Sequence, residues 1–234
     1  MAHDSPAEMT IPSRHQDFPE WHRGRRHYAV WAVDIDTPEV RAACAAAEAG
    51  LAPYLLDDYR RQPHITVALC GFPCPAPGLT DDYGPQDLAR HLAGLRAAAI
   101  GPFALRLGTL ASFTSAPYLS VEDPQGGLPR LRQALAAHQR DDGFPYQAHA
   151  TVGLYGGRYP LASLLADAAA HPLPPTPTLE VSSLSLMAYE AALIGGPLHI
   201  LGRFDLRTAS YLGDNGPFSA ATTAETPCSA RQGG

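Results

Sequence analysis

Charge is scarce in this sequence. Only 17% of residues are Asp, Glu, Lys or Arg, and those present leave a net charge of -6. Proteins that wrap long nucleic acids usually carry a basic face and a high isoelectric point. With an isoelectric point near 5.9, binding to long duplex RNA or DNA is not expected, whereas a small anionic substrate held by a few local groups is. Long apolar runs are also missing. No stretch of about 18 apolar residues occurs, so no membrane span is predicted. Residues 1–26 are polar and lack the apolar segment of a signal peptide, and a cytoplasmic address follows. Cysteine is sparse too. Cys44, Cys70, Cys74 and Cys228 lack the paired spacing of a zinc framework, so free thiols and no metal or other cofactor are expected.

Pro and Gly, by contrast, are plentiful at 23 and 21 residues in a chain of 234. They divide the sequence into short periodic segments separated by turns. Residues 1–26 show no period and read as a loose arm. Their basic cluster, Arg23, Arg25, Arg26 and His27, reads as solvated surface, as do Arg60 and Arg61. Residues 27–36 are aromatic and β-branched and predict a strand. Thr37-Pro38 then opens a helix, with Gly50 as its stop.

A second strand is predicted over 64–70, and a turn-rich loop over 71–82. Pro85 starts a helix with Leu88, Leu92 and Leu95 near one face, closed by Gly101-Pro102. Strands follow over 103–112 and 118–122, and a helix marked by Leu128, Leu131 and Leu135 ends near Gly143. A strand over 147–155, a helix over 161–170, a stiff linker over 172–178 and two closing strands, 179–189 and 197–206, complete the domain. From residue 207 onward, small polar residues, Gly and Pro predict a disordered tail.

The order repeats. Each half contains strand, helix, strand, helix, strand, and the second adds one more strand. The third element of each half carries the same pattern: His64-Ile65-Thr66-Val67 in the first, His149-Ala150-Thr151-Val152 in the second. Successive strand residues point to opposite faces. His64 and Thr66 therefore share one face, as do His149 and Thr151, while Ile65, Val67, Ala150 and Val152 point into packing. A lone His-x-Thr arises about half a time by chance in a chain of this composition. Two copies with apolar second and Val fourth positions, in matching places of a repeat, are far less expected.

Two imidazoles and two hydroxyls around one groove suit phosphodiester chemistry. Histidine's ordinary pKa of about 6.5 lets one ring take a proton while another gives one. Threonine hydroxyls can donate to the non-bridging oxygens, where transition-state charge must be held. One ligand per strand, without Asp, Glu or Cys at matching spacing, fits a metal site poorly. The residues alone do not say which histidine is acid and which is base.

The paired HITV and HATV segments resemble the two HxTx signatures of the 2H phosphoesterase superfamily, which includes 2′-5′ RNA ligase-like proteins and RNA 2′,3′-cyclic phosphodiesterases. The resemblance extends over residues 27–206. It implies an α+β, bilobal, pseudo-twofold fold, with two mainly antiparallel sheets flanked by helices around a central cleft. It also implies His64 and His149 as catalytic residues and Thr66 and Thr151 as phosphate ligands. Relatives often have an aromatic residue on the closing strands, where this chain has His199. Tyr28 and Tyr118 are further candidates to line the groove and stack a base, and Arg158 to reach a phosphate. The expected partner is an RNA 3′ end or a small cyclic nucleotide, bound by a monomer. Ligation in reverse, an ADP-ribose 1″,2″-cyclic phosphate or cyclic oligonucleotide substrate, and a non-catalytic nucleotide or RNA binding module are the competing readings.

Overall fold

The computed structural model describes residues 8–136, 145–213 and 218. After helix α1 (Pro19–His22) come strand β1 (His27–Asp34), helix α2 (Pro38–Leu51), strands β2 (His64–Pro73) and β3 (Asp82–Tyr83), and helix α3 (Pro85–Ala98). Strands β4 (Phe103–Ser112) and β5 (Pro117–Glu122), helix α4 (Gly127–Ala134), strand β6 (His149–Thr151) and helix α5 (Leu161–Ala169) follow. The chain closes with strands β7 (Leu179–Val181), β8 (Ser183–Glu190), β9 (Leu198–Asp205) and β10 (Ser210–Gly213).

Two sheets result. One has six strands in the order β10-β9-β8-β1-β2-β3, and the other has four in the order β6-β5-β4-β7. All pairings are antiparallel except β2 with β3. The fold is α+β, as expected. In both halves a motif strand lies antiparallel to the strand before the preceding helix: β2 on β1 and β6 on β5. The main core joins Trp31, Val33, Ile65 and Val67 of one sheet to Leu105, Leu119, Ala150 and Val152 of the other, with Val40, Ala43, Leu88, Leu95, Leu128 and Leu131 from the helices.

Local chemistry accounts for most element ends. In α2, Pro38 sits in the first turn and the Thr37 hydroxyl accepts from the Val40 N–H at 3.3 Å, capping an orphan donor. The expected stop at Gly50 is displaced, since the helix runs on to Leu51. Gly50 serves a close approach instead: a Cβ there would lie 3.1 Å from the Cβ of His171. Helix α3 ends at Ala98, before Gly101-Pro102, with Ala99 in the left-handed region at φ 45°. The expected end of α4 near Gly143 lies outside the described residues.

Other departures reflect tertiary pairing. The 147–155 segment is a strand only over His149–Thr151. It then peels away, and Leu154 and Gly156 bond Leu56 and Tyr54 of the segment between α2 and β2. The single strand expected over 179–189 is two strands in different sheets: β7 pairs with β4, whereas β8 pairs with β1 and β9. Periodicity reports which face is apolar, not which sheet a residue joins. The loop expected over 71–82 is shortened at both ends by β2 and β3.

Described residues from the expected arm and tail make defined contacts, and the rest of both segments lies outside the described residues. The Thr10 hydroxyl donates to the Gly157 carbonyl at 2.8 Å, and Trp21 packs on Tyr28 and Phe72 at 5.3 and 5.2 Å. Arg25 is buried, not solvated: it bonds Asp81 and Asp82 at 2.6 and 2.9 Å, and its guanidinium lies 3.7 Å over Phe72. Those partners lie more than fifty residues away, out of reach of any local pattern. At the other end β10 adds to the open edge of β9, and Phe218 is buried against Tyr83. Cys44 and Cys70 are thiols outside any disulfide, but Cys74 is disulfide-bonded, against the free thiol expected there. No described helix is long and apolar enough to cross a membrane.

Candidate active site

The motif strands deliver the expected alternation. Ile65, Val67, Ala150 and Val152 are buried in the core, and His64, Thr66, His149 and Thr151 are half-buried on the opposite faces. Strands β2 and β6 run beside one another where the sheets meet, so four polar side chains separated by 85 residues of sequence come to one place.

The two rings are held in the same way. His64 Nδ1 lies 2.8 Å from the carbonyl of Gln62, and His149 Nδ1 lies 2.7 Å from the carbonyl of Gln147. A carbonyl can only accept, so each Nδ1 carries the hydrogen. That fixes the tautomer and leaves Nε2 of both rings for proton transfer. These glutamines were not singled out from sequence, yet the signal was present: the motif extends to Gln-x-His-x-Thr-Val in both copies. The Gln62 side chain also brackets Leu198, donating to its carbonyl at 3.2 Å and accepting from its N–H at 2.7 Å.

Burial and nearby charges act on His64. Desolvation pushes the His64 pKa down to about 4, although the ring retains some exposure at the surface. The Gln62 carbonyl opposes the shift, the charges of Arg61 and His149 add to it, and Asp34 opposes it. The His64 imidazole is thus close enough to sense a charge on His149. Asp34 stands directly across the ladder from His64, but it pairs with Arg203 at 3.1 Å.

Aromatic rings support His149. Phe113 and Tyr118 stack at 4.3 Å, and both meet the imidazole edge-on, at 5.0 and 5.5 Å. Tyr118 lies across the ladder from Thr151 and accepts from the Gln147 amide at 2.5 Å. It is buried, so its contact is with the His149 ring. Phe113 escaped notice because it lies in a turn, outside any period.

The remaining candidates are not gathered here. Tyr28 lies across the ladder from Tyr189, at the other end of β1 from Asp34, and is buried among Trp21, Phe72 and Tyr189. Arg158 is exposed on the loop after β6. His199 is exposed and shares the face of its ladder partner Ala188, whereas the cleft side of that pair of strands carries Tyr189 and Leu198. Arg61 corrects the solvated reading. It is half-buried, its guanidinium lies 4.1 Å over the Tyr189 ring, and it donates to the Gly196 carbonyl at 3.2 Å. Among the described residues no group of three or more His, Cys, Asp or Glu could hold a metal ion.

The family model of the 2′-5′ RNA ligase superfamily matches residues 38–192. No curated protein matches the chain. Among solved structures, TT0787 of Thermus thermophilus is 20% identical with a TM-score of 0.49, and the match covers 77% of this chain and 98% of that one. Escherichia coli LigT complexed with 3′-AMP is 16% identical with a TM-score of 0.48, covering 77% and 98%. Kluyveromyces marxianus Usb1 with uridine monophosphate is 12% identical with a TM-score of 0.46, covering 76% and 97%.

Proposed function

Because the chain belongs to the 2′-5′ RNA ligase superfamily, the 2H phosphoesterases, we propose that it is a metal-independent phosphodiesterase that opens the 2′,3′-cyclic phosphate of an RNA 3′ end or a small nucleotide. The observation that carries this reading is the matched pair of rings, each with Nδ1–H fixed on the carbonyl two residues before it. His64, neutral because its surroundings disfavour the charged form, is the base. Its Nε2 takes a proton from water as the water oxygen bonds to phosphorus. His149 in its protonated form is the acid, and its Nε2–H passes a proton to O3′ as the P–O3′ bond breaks. The product carries a 2′-phosphate and a free 3′-hydroxyl. Thr66 and Thr151 donate to the non-bridging oxygens, where charge builds in the transition state. All four groups come from one chain, so a monomer suffices.

Incubation with 2′,3′-cyclic nucleotides and a short cyclic-phosphate RNA in EDTA tests the reading. Hydrolysis is expected to survive the chelator, and His64→Ala and His149→Ala are each expected to lose about a hundredfold or more in turnover. Turnover indifferent to both substitutions would refute it. Binding without turnover on every cyclic phosphate would instead favour a nucleotide-binding module.

A further inference from the structure

Beyond the four motif side chains, we propose that Arg132 and Tyr146 form a clamp from the second lobe onto the first motif strand, and that this clamp sets the separation of the two catalytic imidazoles. It is a positioning device and rests on the two-histidine reading.

The argument starts from an irregularity in β2. Pairing with β1 steps from Ala32↔Thr66 to Trp31↔Ala68. Val67 is therefore an extra residue facing no partner, a β-bulge in the fourth position of the HITV motif. A bulge disrupts the ladder locally and re-aims the side chains around it. It also leaves backbone groups that need partners from elsewhere.

Those partners come from the other lobe. Arg132, on α4, donates to the Val67 carbonyl at 3.0 Å. The Tyr146 hydroxyl donates to the Thr66 carbonyl at 3.1 Å. The Arg132 guanidinium lies 4.5 Å over the Tyr146 ring, so the two donors brace each other. Desolvation pushes the Tyr146 pKa up to about 12, so it remains a hydroxyl donor across the working range.

The placement in sequence gives the contact its meaning. Tyr146 stands three residues before His149, and the carbonyl it holds belongs to Thr66. One hydrogen bond therefore ties the approach to the second motif to the backbone of the first. No ladder joins β2 to β6, so their spacing falls to side-chain contacts such as these. A shift of about 1 Å between reacting groups can cost a hundredfold in rate.

Tyr146→Phe deletes one O–H and keeps the ring on which Arg132 stacks. Arg132→Met deletes the guanidinium, and Arg132→Lys keeps a donor. On a 2′,3′-cyclic nucleotide, Tyr146→Phe and Arg132→Met are each expected to lose about tenfold in kcat with KM within about twofold. Arg132→Lys should recover most of the loss. Amide hydrogen exchange over residues 64–70 should quicken in the first two variants, and the His64 titration seen by NMR should move toward that of the His149→Ala protein as the effect of the His149 charge on His64 weakens. A kcat for Tyr146→Phe within twofold of wild type overturns the clamp, and so does a loss that appears only as reduced thermal stability. If the wild type opens no cyclic phosphate, the functional reading fails by itself. Exchange and titration then decide the clamp: unchanged values in Tyr146→Phe refute it, and the expected shifts uphold it.

Discussion

His64 and His149 share residue type, neighbours and backbone hydrogen bond, yet their surroundings differ. Burial is the largest influence on His64, and among nearby charges Arg61 adds most to it. Arg61 has no counterpart at the same offset before His149, where Pro145-Tyr146 precede Gln147. Burial lowers the His64 pKa and the Arg61 charge adds to that shift, so the imidazole stays neutral and able to accept a proton. The sign of the pH dependence follows. As the proposed base, His64 works only when neutral, and its neutral fraction rises as pH rises through the pKa. The acid limb of kcat/KM should therefore lie near pH 4, well below the ordinary histidine value. Arg61→Met removes a lowering influence and should move that limb to higher pH. A limb that stays put in Arg61→Met would show that burial alone sets the value. At this scale the His-x-Thr pattern was legible because strand alternation is a local rule. The role of Arg61 was not, because desolvation and charge proximity arise only when distant segments meet.

Among the elements, α3 and α4 show how a local rule can reverse. Gly94 lies inside α3, where replacing Gly by Ala normally stabilises a helix by about 1 kcal/mol. Here a Cβ would stand 2.1 Å from the Ala134 carbonyl of α4. Gly94→Ala should therefore destabilise the fold, by roughly 1–3 kcal/mol as overpacking does, read as a lower urea midpoint at unchanged slope. An unchanged or raised midpoint would mean that α4 yields freely. Composition placed most elements, because caps such as Thr37-Pro38 and the apolar spacing of α2 and α3 act within a turn or two. It could not place the split at Ser182, since Leu179, Val181, Leu184 and Leu186 are all buried and alternation is silent about which sheet receives each pair. Nor did it reveal the packing of residues 8–26, whose anchor is the Arg25 contact with Asp81 and Asp82. Removing one partner of a buried ion pair leaves an uncompensated charge. Arg25→Met should thus cost about 3 kcal/mol of stability at neutral pH, measured by urea unfolding. A change below about 1 kcal/mol would mean that the arm is not held by this pair.

At the scale of the whole molecule, two lobes of like order bring β2 and β6 together, and the proposed chemistry depends on that meeting. Each lobe offers one imidazole and one hydroxyl, and neither set completes an acid-base pair alone. The repeat was legible as strand order and as two motifs 85 residues apart. Their convergence was expected from the repeat and the family resemblance together, because nothing in either half alone states how the sheets meet. The most direct test of that convergence is a turnover comparison of wild type, His64→Ala, His149→Ala and the double variant on one 2′,3′-cyclic nucleotide. If both rings act on a single phosphorus in one step, removing the second adds little once the first is gone, as for other groups that work as a unit. The double variant should then fall within about tenfold of the worse single variant. Losses that multiply, to about ten-thousandfold from two hundredfold effects, would mean that the histidines act independently and would contradict the shared site.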